Sequence, residues 1–145
     1  MTDCVAALIV DEDSRLCLQL RDERNDIFFP GLWGLFGGSV ESNENPSEAL
    51  CREIEEELEI KISNFEKILT VTIDFALESL KGKKRHFFLV RVTQDQKKNM
   101  KLNEGQRFEF FDIEDIPHSK DLAPVDACGI IYCCHAFITK RKIIP

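Results

Sequence analysis

The sequence lacks three features that would each define a class of protein. No apolar stretch approaches the length that crosses a bilayer, and the N-terminus has no basic segment followed by a long apolar run. The six cysteines form no CxxC pair and no short disulfide framework, which is typical of reduced, mostly buried thiols. We therefore expect a soluble, cytoplasmic protein with no membrane partner.

The chain also lacks repeats, a linker and low-complexity segments, and its 145 residues are the length of one ordinary domain. We therefore expect a single domain over residues 1–145. There is no basic excess either, because 19 lysines and arginines against 26 aspartates and glutamates give a formal net charge of −7. Since binding to a duplex backbone needs a basic surface, this balance disfavours duplex nucleic acid as a partner.

What the sequence has in abundance is acid within one short stretch. Eight glutamates and one arginine lie between Glu41 and Glu59, so this stretch alone carries the whole net charge. The other 18 acidic and 18 basic residues cancel. A negative charge concentrated in this way indicates a cation site rather than a general means of solubility.

Alternating apolar residues and turn chemistry predict the elements around this stretch. A hairpin is predicted from Cys4–Val10 and Arg15–Arg21, a loop at Arg21–Gly34, and a short strand in WGLF. Later strands are predicted at Leu69–Phe75, His86–Val92 and Arg107–Phe111, with a turn at Gly82. A helix is predicted from about Pro124 to Ile138, and the basic residues Lys140, Arg141 and Lys142 suit its C-terminal end. This order predicts an α/β fold with helices packed on a mixed sheet.

The acidic stretch is itself predicted to form a helix beginning at about Pro46, with Asn45 as its N-cap and Glu48 as the acid of a capping box. At about 100° per residue, three sectors of side chains follow. The sector expected on the sheet contains Leu50, Ile54 and Leu58 with Ser47 and Cys51. The adjacent sector contains Glu53, Glu56, Glu57 and Ala49. The solvent-facing sector contains Glu48, Arg52, Glu55 and Glu59.

The sector with Glu53, Glu56 and Glu57 is the predicted metal site. These like charges lie one helical turn apart, and they destabilise the helix unless a cation compensates them. Carboxylates favour hard cations such as Mg²⁺, Mn²⁺ or Ca²⁺, and Mg²⁺ usually completes its shell with water and substrate phosphates. The pattern therefore indicates phosphoryl chemistry. A merely solvated acidic face is the other interpretation.

The spacing of Gly38, Glu44 and the run from Arg52 to Ile60 resembles the Nudix box, with Glu59 in place of the family's glycine. GLWGLFGG is similar to the family's Trp-x-x-Pro-Gly-Gly lead-in, with Phe36 where proline is usual, and NEGQRFEFF resembles a later loop and strand. The resemblance implies the Nudix α/β/α sandwich with a mixed β-sheet. Because a left-handed conformation is costly without glycine, we expect the helix to end differently at Glu59 and stability to suffer more than chemistry.

The resemblance further implies a Mg²⁺-dependent pyrophosphohydrolase, with Mn²⁺ possible. Its substrate would be a small nucleotide in which a nucleoside diphosphate is linked to a group X, such as a (d)NTP, an oxidised nucleotide or a nucleotide sugar. Water would attack a phosphorus atom and cleave this substrate. The implied metal ligands are the Gly37 carbonyl, Glu53, Glu56, Glu57 and Glu104. The implied catalytic residues are Glu53, Glu57, Glu104 and Arg52. Arg52 would orient the glutamates, Glu44 would brace the loop, and Glu53 and Glu104 are alternative bases.

Substrate contacts are predicted in the loop before the box. Arg21 and Arg24 are candidates for phosphate contacts, and Phe28 and Phe29 for stacking on a base. Trp33, Phe75 and Phe110 are more typical of core residues. The cluster CGIIYCCH is interpreted as packing rather than a soft-metal site, because its spacing matches no zinc pattern.

Two other functions stay open. One is a non-catalytic Nudix-fold module that senses a nucleotide, although the intact glutamates argue against it. The other is an isoprenoid diphosphate isomerase, which nothing in the sequence independently supports. The nucleotide itself and the choice between a monomer and a homodimer are not predicted.

Overall fold

The computed structural model describes residues 2–74 and 81–139. The strands within them are β1 (Cys4–Val10), β2 (Arg15–Leu20), β3 (Trp33–Gly34), β4 (Phe65–Ile73), β5 (Lys83–Arg91) and β6 (Arg107–Asp112). The helices are α1 (Pro46–Leu58), α2 (Gln94–Asn99), α3 (Ile116–Ser119) and α4 (Pro124–Ile138).

The strands form one mixed sheet in the order β3-β2-β1-β5-β4, with β6 paired to β2. Strand β1 runs parallel to β5 from Cys4 opposite Arg85 to Val10 opposite Arg91, and the other strand pairs are antiparallel. Because β1 is central and covered on both faces, it is a continuous apolar run rather than an alternating one. The predicted mixed sheet is confirmed.

Helices cover the two faces of this sheet. On one face, Val5, Ala7 and Ile9 of β1 share a core with Leu50, Ile54 and Leu58 of α1. On the other face, Ala6, Leu8 and Val10 share a core with Ile130, Cys133 and Cys134 of α4. Alternate residues of β1 therefore belong to opposite layers, as the pleat requires. This arrangement is the predicted α/β/α sandwich.

Helix α1 begins as predicted. The Oδ1 atom of Asn45 accepts from the backbone N–H groups of Ser47 (2.9 Å) and Glu48 (3.1 Å), and Oε2 of Glu48 accepts the reciprocal capping-box bond from the Asn45 N–H (2.8 Å). The predicted faces need one correction, because Ser47 is exposed and Ala49 is fully buried. The helix is rotated toward Ala49, so that its buried stripe passes through positions 49, 50, 54, 57 and 58.

The end of α1 contradicts the expectation that the helix would end differently at Glu59 from a helix that ends at glycine. This residue takes the left-handed conformation, with φ 55° and ψ 30°, and its N–H donates to the Glu55 carbonyl (3.0 Å). The helix thus ends with the backbone that a glycine would take. The reason is tertiary, because Lys101 and Asn103 donate backbone N–H groups to the carbonyls of Leu58 and Glu57 and hold the last turn in place.

Most other predicted elements are confirmed, including the β1–β2 hairpin and the bounds of α4. Strand β4 begins at Phe65, before the predicted Leu69, because an irregularity between Lys67 and Leu69 breaks the alternation on which that prediction relied. The predicted strand in WGLF shrinks to the two residues of β3. Helices α2 and α3 were not predicted. Phe75 and Lys140 to Lys142 lie outside the described residues.

The cysteines are less buried than predicted. All six are free, yet three are buried, Cys4 and Cys51 are half-buried and Cys128 is exposed.

In residues 2–74 and 81–139, no helix combines the length and apolar character needed to cross a bilayer.

Candidate active site

The loop after β3 makes two close approaches that only glycine permits. Gly37 has a φ of +143°, and a Cβ built on it would lie 2.1 Å from the carbonyl oxygen of Val5. A Cβ on Gly38 would lie 2.3 Å from Oε1 of Glu53. The two glycines therefore let the loop lie against β1 and leave room for the Glu53 carboxylate beside the backbone.

Glu57 and Glu104 form a carboxyl pair beside this loop. Glu57 is only 4% exposed, and its Oε2 accepts a hydrogen bond from the Gly37 N–H (2.9 Å). Its burial, and then a hydrogen bond with the Glu104 carboxyl, raise the pKa of Glu57 to about 9. Two carboxyl groups this close are not both ionised unless a cation compensates them. The pair is thus held together by a proton or by a cation.

Arg52 gathers the surrounding glutamates. Its Nη1 donates to Glu53 (2.8 Å) and Glu56 (3.3 Å), and its Nε and Nη2 donate to the two carboxylate oxygens of Glu44 (3.1 and 2.6 Å). The bond to Glu44 is the main reason that the pKa of Arg52 is raised. Its Nη2 also donates to the Ser39 carbonyl (2.9 Å). Arg52 therefore fixes the acids to the loop and, contrary to its predicted solvent-facing position, is half-buried.

Glu44 and Glu53 differ in their surroundings. Glu44 also accepts from the Glu41 N–H (2.8 Å), so it ties the loop to Arg52. Burial raises the pKa of Glu53, and the neighbouring Arg52 offsets only part of that rise. Glu56 is exposed, with 59% of its side chain accessible to solvent.

The donors present suit a hard divalent cation. Glu53, Glu57 and Glu104 supply carboxylate oxygens around the glycine loop, and such oxygens are the ligands that Mg²⁺ and Mn²⁺ prefer. Within the described part of the chain, however, no three His, Cys, Asp or Glu side chains are already arranged around one point to hold an ion. Arg52 engages both Glu53 and Glu56, so a cation would compete with its guanidinium for those carboxylates.

Three of the four predicted substrate residues line one cavity of about 210 Å³ that reaches Gly37. Phe28 is 46% exposed, Phe29 has the positive φ of 54° that is rare for a bulky residue, and Arg21 donates from Nε to the Phe28 carbonyl (2.9 Å). Arg24 lines a smaller cavity of about 100 Å³ together with Arg21 and Glu104, and it pairs with Asp26. Larger cavities of about 600 and 550 Å³ lie elsewhere and include none of these glutamates.

Arg85, which was not predicted from the sequence, lines the same cavity as Phe28. Its Nε and Nη2 donate to Oδ1 of Asp126 (2.8 and 2.6 Å), and Asp126 is 1% exposed. Oδ2 of Asp126 accepts from the Leu35 N–H (2.9 Å). These partners lie 41 and 91 residues from Asp126 in the chain, so no local spacing signals the arrangement.

Two of the three aromatic residues interpreted as core, Trp33 and Phe110, lie in the described part of the chain and pack as expected. Trp33 is 9% exposed and packs edge-on against Phe111, and Phe110 packs against the core with the Lys97 Nζ 4.2 Å from its ring centroid. Cys133 and Cys134 are buried in the core, as the packing interpretation of CGIIYCCH requires.

A family model of the NUDIX domain matches residues 2–130, and the chain belongs to this family. The nucleoside triphosphatase NudI of Escherichia coli O17:K52:H18 is 32% identical over 120 residues, which cover 79% of this chain and 84% of that protein. The first NudI relatives, such as that of Escherichia coli O139:H28, align at 48% identity over 54 residues, only 37% of each chain.

Solved structures share the fold. The MutT structure from a study of Aliivibrio salmonicida and Vibrio cholerae has a TM-score of 0.77 at 22% identity, covering 94% of this chain and 98% of that one. The NUDIX domain of Shewanella oneidensis NrtR, complexed with ADP ribose, has a TM-score of 0.71 at 16% identity, covering 93% and 86%. The NUDIX domain and the NudI relatives together support a hydrolase acting on phosphoanhydride bonds.

Proposed function

We propose that this protein is a hydrolase that cleaves a phosphoanhydride bond in a small nucleotide, a nucleoside diphosphate linked to a further group, with the help of Mg²⁺ or Mn²⁺. The observation that carries the proposal is the carboxyl pair of Glu57 and Glu104 beside the Gly37 loop. Gly37, which donates its N–H to Glu57, lines a cavity with aromatic and cationic walls, and Glu104 lines the smaller cavity that contains Arg24. A divalent cation would neutralise the carboxylates that otherwise need a proton, and it would also attract the negatively charged phosphates of a nucleotide.

The residues divide into cation ligands and supports. Glu53, Glu57 and Glu104 would hold the cation, with Glu56 and the Gly37 carbonyl as further ligands. When bound, the cation lowers the pKa of water and neutralises charge on phosphate oxygens. Glu53 and Glu104 are the two candidates for the base that takes the proton from the attacking water. Arg52 supports the site by fixing the rotamers of Glu53 and Glu56.

The cavity beside Gly37 would take the nucleoside. Phe28 and Phe29 offer aromatic faces for a base, while Arg21 and Arg85 bring positive charge to the same walls. Arg24 would meet phosphates from the neighbouring cavity. A nucleoside triphosphate is the substrate class we propose, since relatives with this domain are nucleoside triphosphatases. We also propose that residues 1–145 form one domain.

A second candidate is a module that binds a nucleotide without cleaving it. The engagement of both Glu53 and Glu56 by Arg52 favours it, because the ligands are not prearranged around one point. The crowding of Glu57 against Glu104 favours the hydrolase, since a binding module gains nothing from two carboxyl groups that repel once ionised.

Nucleotide turnover decides between the two. The protein would be incubated with Mg²⁺ and a panel of nucleoside triphosphates, oxidised nucleotides, nucleotide sugars and dinucleoside polyphosphates, and the products separated by chromatography. Glu57→Gln is expected to lower turnover at least about a hundredfold, because it removes a ligand rather than a ligand's support. Glu55→Gln, on the exposed face of the same helix, is the matched control and should keep wild-type turnover.

The outcomes separate the proposals. Release of a nucleoside monophosphate by the wild type and by Glu55→Gln, but not by Glu57→Gln, supports the hydrolase. Metal-dependent nucleotide binding by the wild type without any turnover would contradict it and support the binding module.

A further inference from the structure

Asn103 joins the segment that carries Glu104 to the end of helix α1. Its backbone N–H donates to the Glu57 carbonyl (2.9 Å), and its side-chain Nδ2 donates to the Glu56 carbonyl (2.9 Å). The last carbonyls of a helix have no partner within the helix, and α1 has no basic residue in its last turn. Asn103 therefore satisfies two of these carbonyls by itself.

The residue that follows is Glu104, whose carboxyl group contacts the side chain of Glu57. Asn103 is thus bonded to the main chain of the same residue whose side chain Glu104 meets. This connection sets the position of Glu104 relative to Glu57 through a single peptide unit.

The other side of Glu104 is held by strand β2. The Gln106 N–H donates to the Leu20 carbonyl (2.9 Å), and its Nε2 donates to the Arg21 carbonyl (2.8 Å). Gly105 lies so close to Gln19 that a Cβ on it would be 2.7 Å from Oε1 of that side chain. Glu104 is therefore fixed from both sides, and the bond from the Asn103 side chain belongs to the side nearer Glu57.

We propose that Asn103 is a positioning residue that holds Glu104 against Glu57 so that both carboxylates bind one cation. This inference rests on the proposed function and extends it to a residue that touches neither cation nor substrate. Groups that orient metal ligands typically change metal affinity by 10- to 100-fold when they are removed. Since Asn103→Ala keeps the backbone N–H bond to Glu57, we expect Mg²⁺ binding to weaken on the order of tenfold.

The test is calorimetric titration of the nucleotide-free protein with Mg²⁺. Asn103→Ala is compared with Asn99→Ala, an exposed asparagine at the end of α2. Asn103→Leu is the second variant, because leucine approximates the shape of the side chain and loses the N–H donor without adding a charge. Both Asn103 variants are expected to bind Mg²⁺ about tenfold more weakly, and Asn99→Ala to match the wild type.

A steady-state comparison separates positioning from stability. For Asn103→Ala, the half-saturating Mg²⁺ concentration for turnover should rise about tenfold, while KM for the nucleotide at saturating Mg²⁺ stays unchanged. Urea unfolding of each metal-free variant establishes that it is folded at the temperature of titration. A loss of stability with unchanged Mg²⁺ affinity would mean a merely structural role.

The failures are distinguishable. Mg²⁺ affinity within about twofold of the wild type in both Asn103 variants overturns this inference, even if the wild type hydrolyses nucleotides. A wild type that binds Mg²⁺ but turns over no nucleotide overturns the proposed hydrolase and leaves the effect of Asn103 measurable. A wild type that neither binds Mg²⁺ nor hydrolyses any nucleotide in the presence of Mg²⁺ or Mn²⁺ overturns both.

Discussion

Replacing Glu59 with glycine should stabilise the protein. Glu59 is exposed and left-handed, with φ 55° and ψ 30°. A non-glycine residue pays roughly 1–2 kcal/mol for this conformation, because its Cβ approaches the following carbonyl oxygen. The glutamate also places a negative charge at the negative end of the helix dipole, which costs about 0.3 kcal/mol or more at an exposed position.

Glycine brings one opposing term. It gives the unfolded chain more conformational freedom, which lowers stability by about 0.4–1 kcal/mol. The balance is a gain of about 1 kcal/mol in the free energy of unfolding for Glu59→Gly, or about 3 °C in Tm for a chain of this size. Nucleotide turnover should not change, because Glu59 lies outside the sector of Glu53 and Glu57.

Urea and thermal unfolding, followed by circular dichroism, measure the effect. Glu59→Ala is the control, since it removes the charge but keeps the left-handed cost and should stay within about 0.5 kcal/mol of the wild type. If Glu59→Gly were no more stable than Glu59→Ala, the left-handed conformation would not be a source of strain, and the reasoning would be wrong.

Two further predictions concern a buried carboxylate and an exposed ring. Burial raises the pKa of Asp11, but bonds from Lys97 and Arg15 outweigh it and leave the pKa below its usual value of 3.8. Its stabilising contribution is therefore complete above that value and is lost as the pH falls through the lowered pKa. Asp11→Asn should lower the free energy of unfolding by about 3 kcal/mol at neutral pH, and this deficit, measured by urea unfolding, should shrink below pH 4. The control Asp13→Asn, at an exposed position, should change the free energy of unfolding by less than about 0.5 kcal/mol at neutral pH. A deficit of Asp11→Asn that is independent of pH would refute this. Phe28→Ala should raise KM for the nucleotide about tenfold without changing the free energy of unfolding by more than about 0.5 kcal/mol. The control Ile131→Ala, also at an exposed position, should change neither quantity. An unchanged KM for Phe28→Ala would exclude stacking on Phe28.

Local signals predicted the start of α1 and the bounds of α4. Asn45, Pro46 and Glu48 form a cap whose partners are all within a few residues, so the sequence contains the whole arrangement. The same kind of signal was present but overlooked at Thr93 and Gln96, whose capping box starts α2. The faces of α1 were predicted only in part, because its rotation is set by packing against β1 rather than by helical periodicity.

The candidate site was predictable where spacing along one helix determines it. Glu53, Glu56 and Glu57 lie on one side of α1, as their spacing predicts, and the Glu104 carboxyl lies beside that of Glu57. The roles of these residues as metal ligands stay predictions. The pair of Arg85 and Asp126 was not predictable, because it forms only when β5 and α4 come together in the folded chain, and the two residues lie 41 apart in the sequence. The left-handed conformation of Glu59 was not predictable from its own backbone preference. Backbone bonds from Lys101 and Asn103 to the last turn of α1 hold a conformation that this preference disfavours.

The parallel pairing of β1 with β5 has a consequence for the order in which the chain folds. Strand β1 meets β2 at only one register position, Val10 opposite Leu16, whereas it pairs with β5 along its whole length. During synthesis, the apolar strand at Cys4–Val10 leaves the ribosome long before residues 83–91, so it must wait for its main partner. Pairings between such distant residues close late and slow folding. The nascent chain therefore exposes its most apolar strand longest, which makes β1 the segment that chaperones and aggregation compete for.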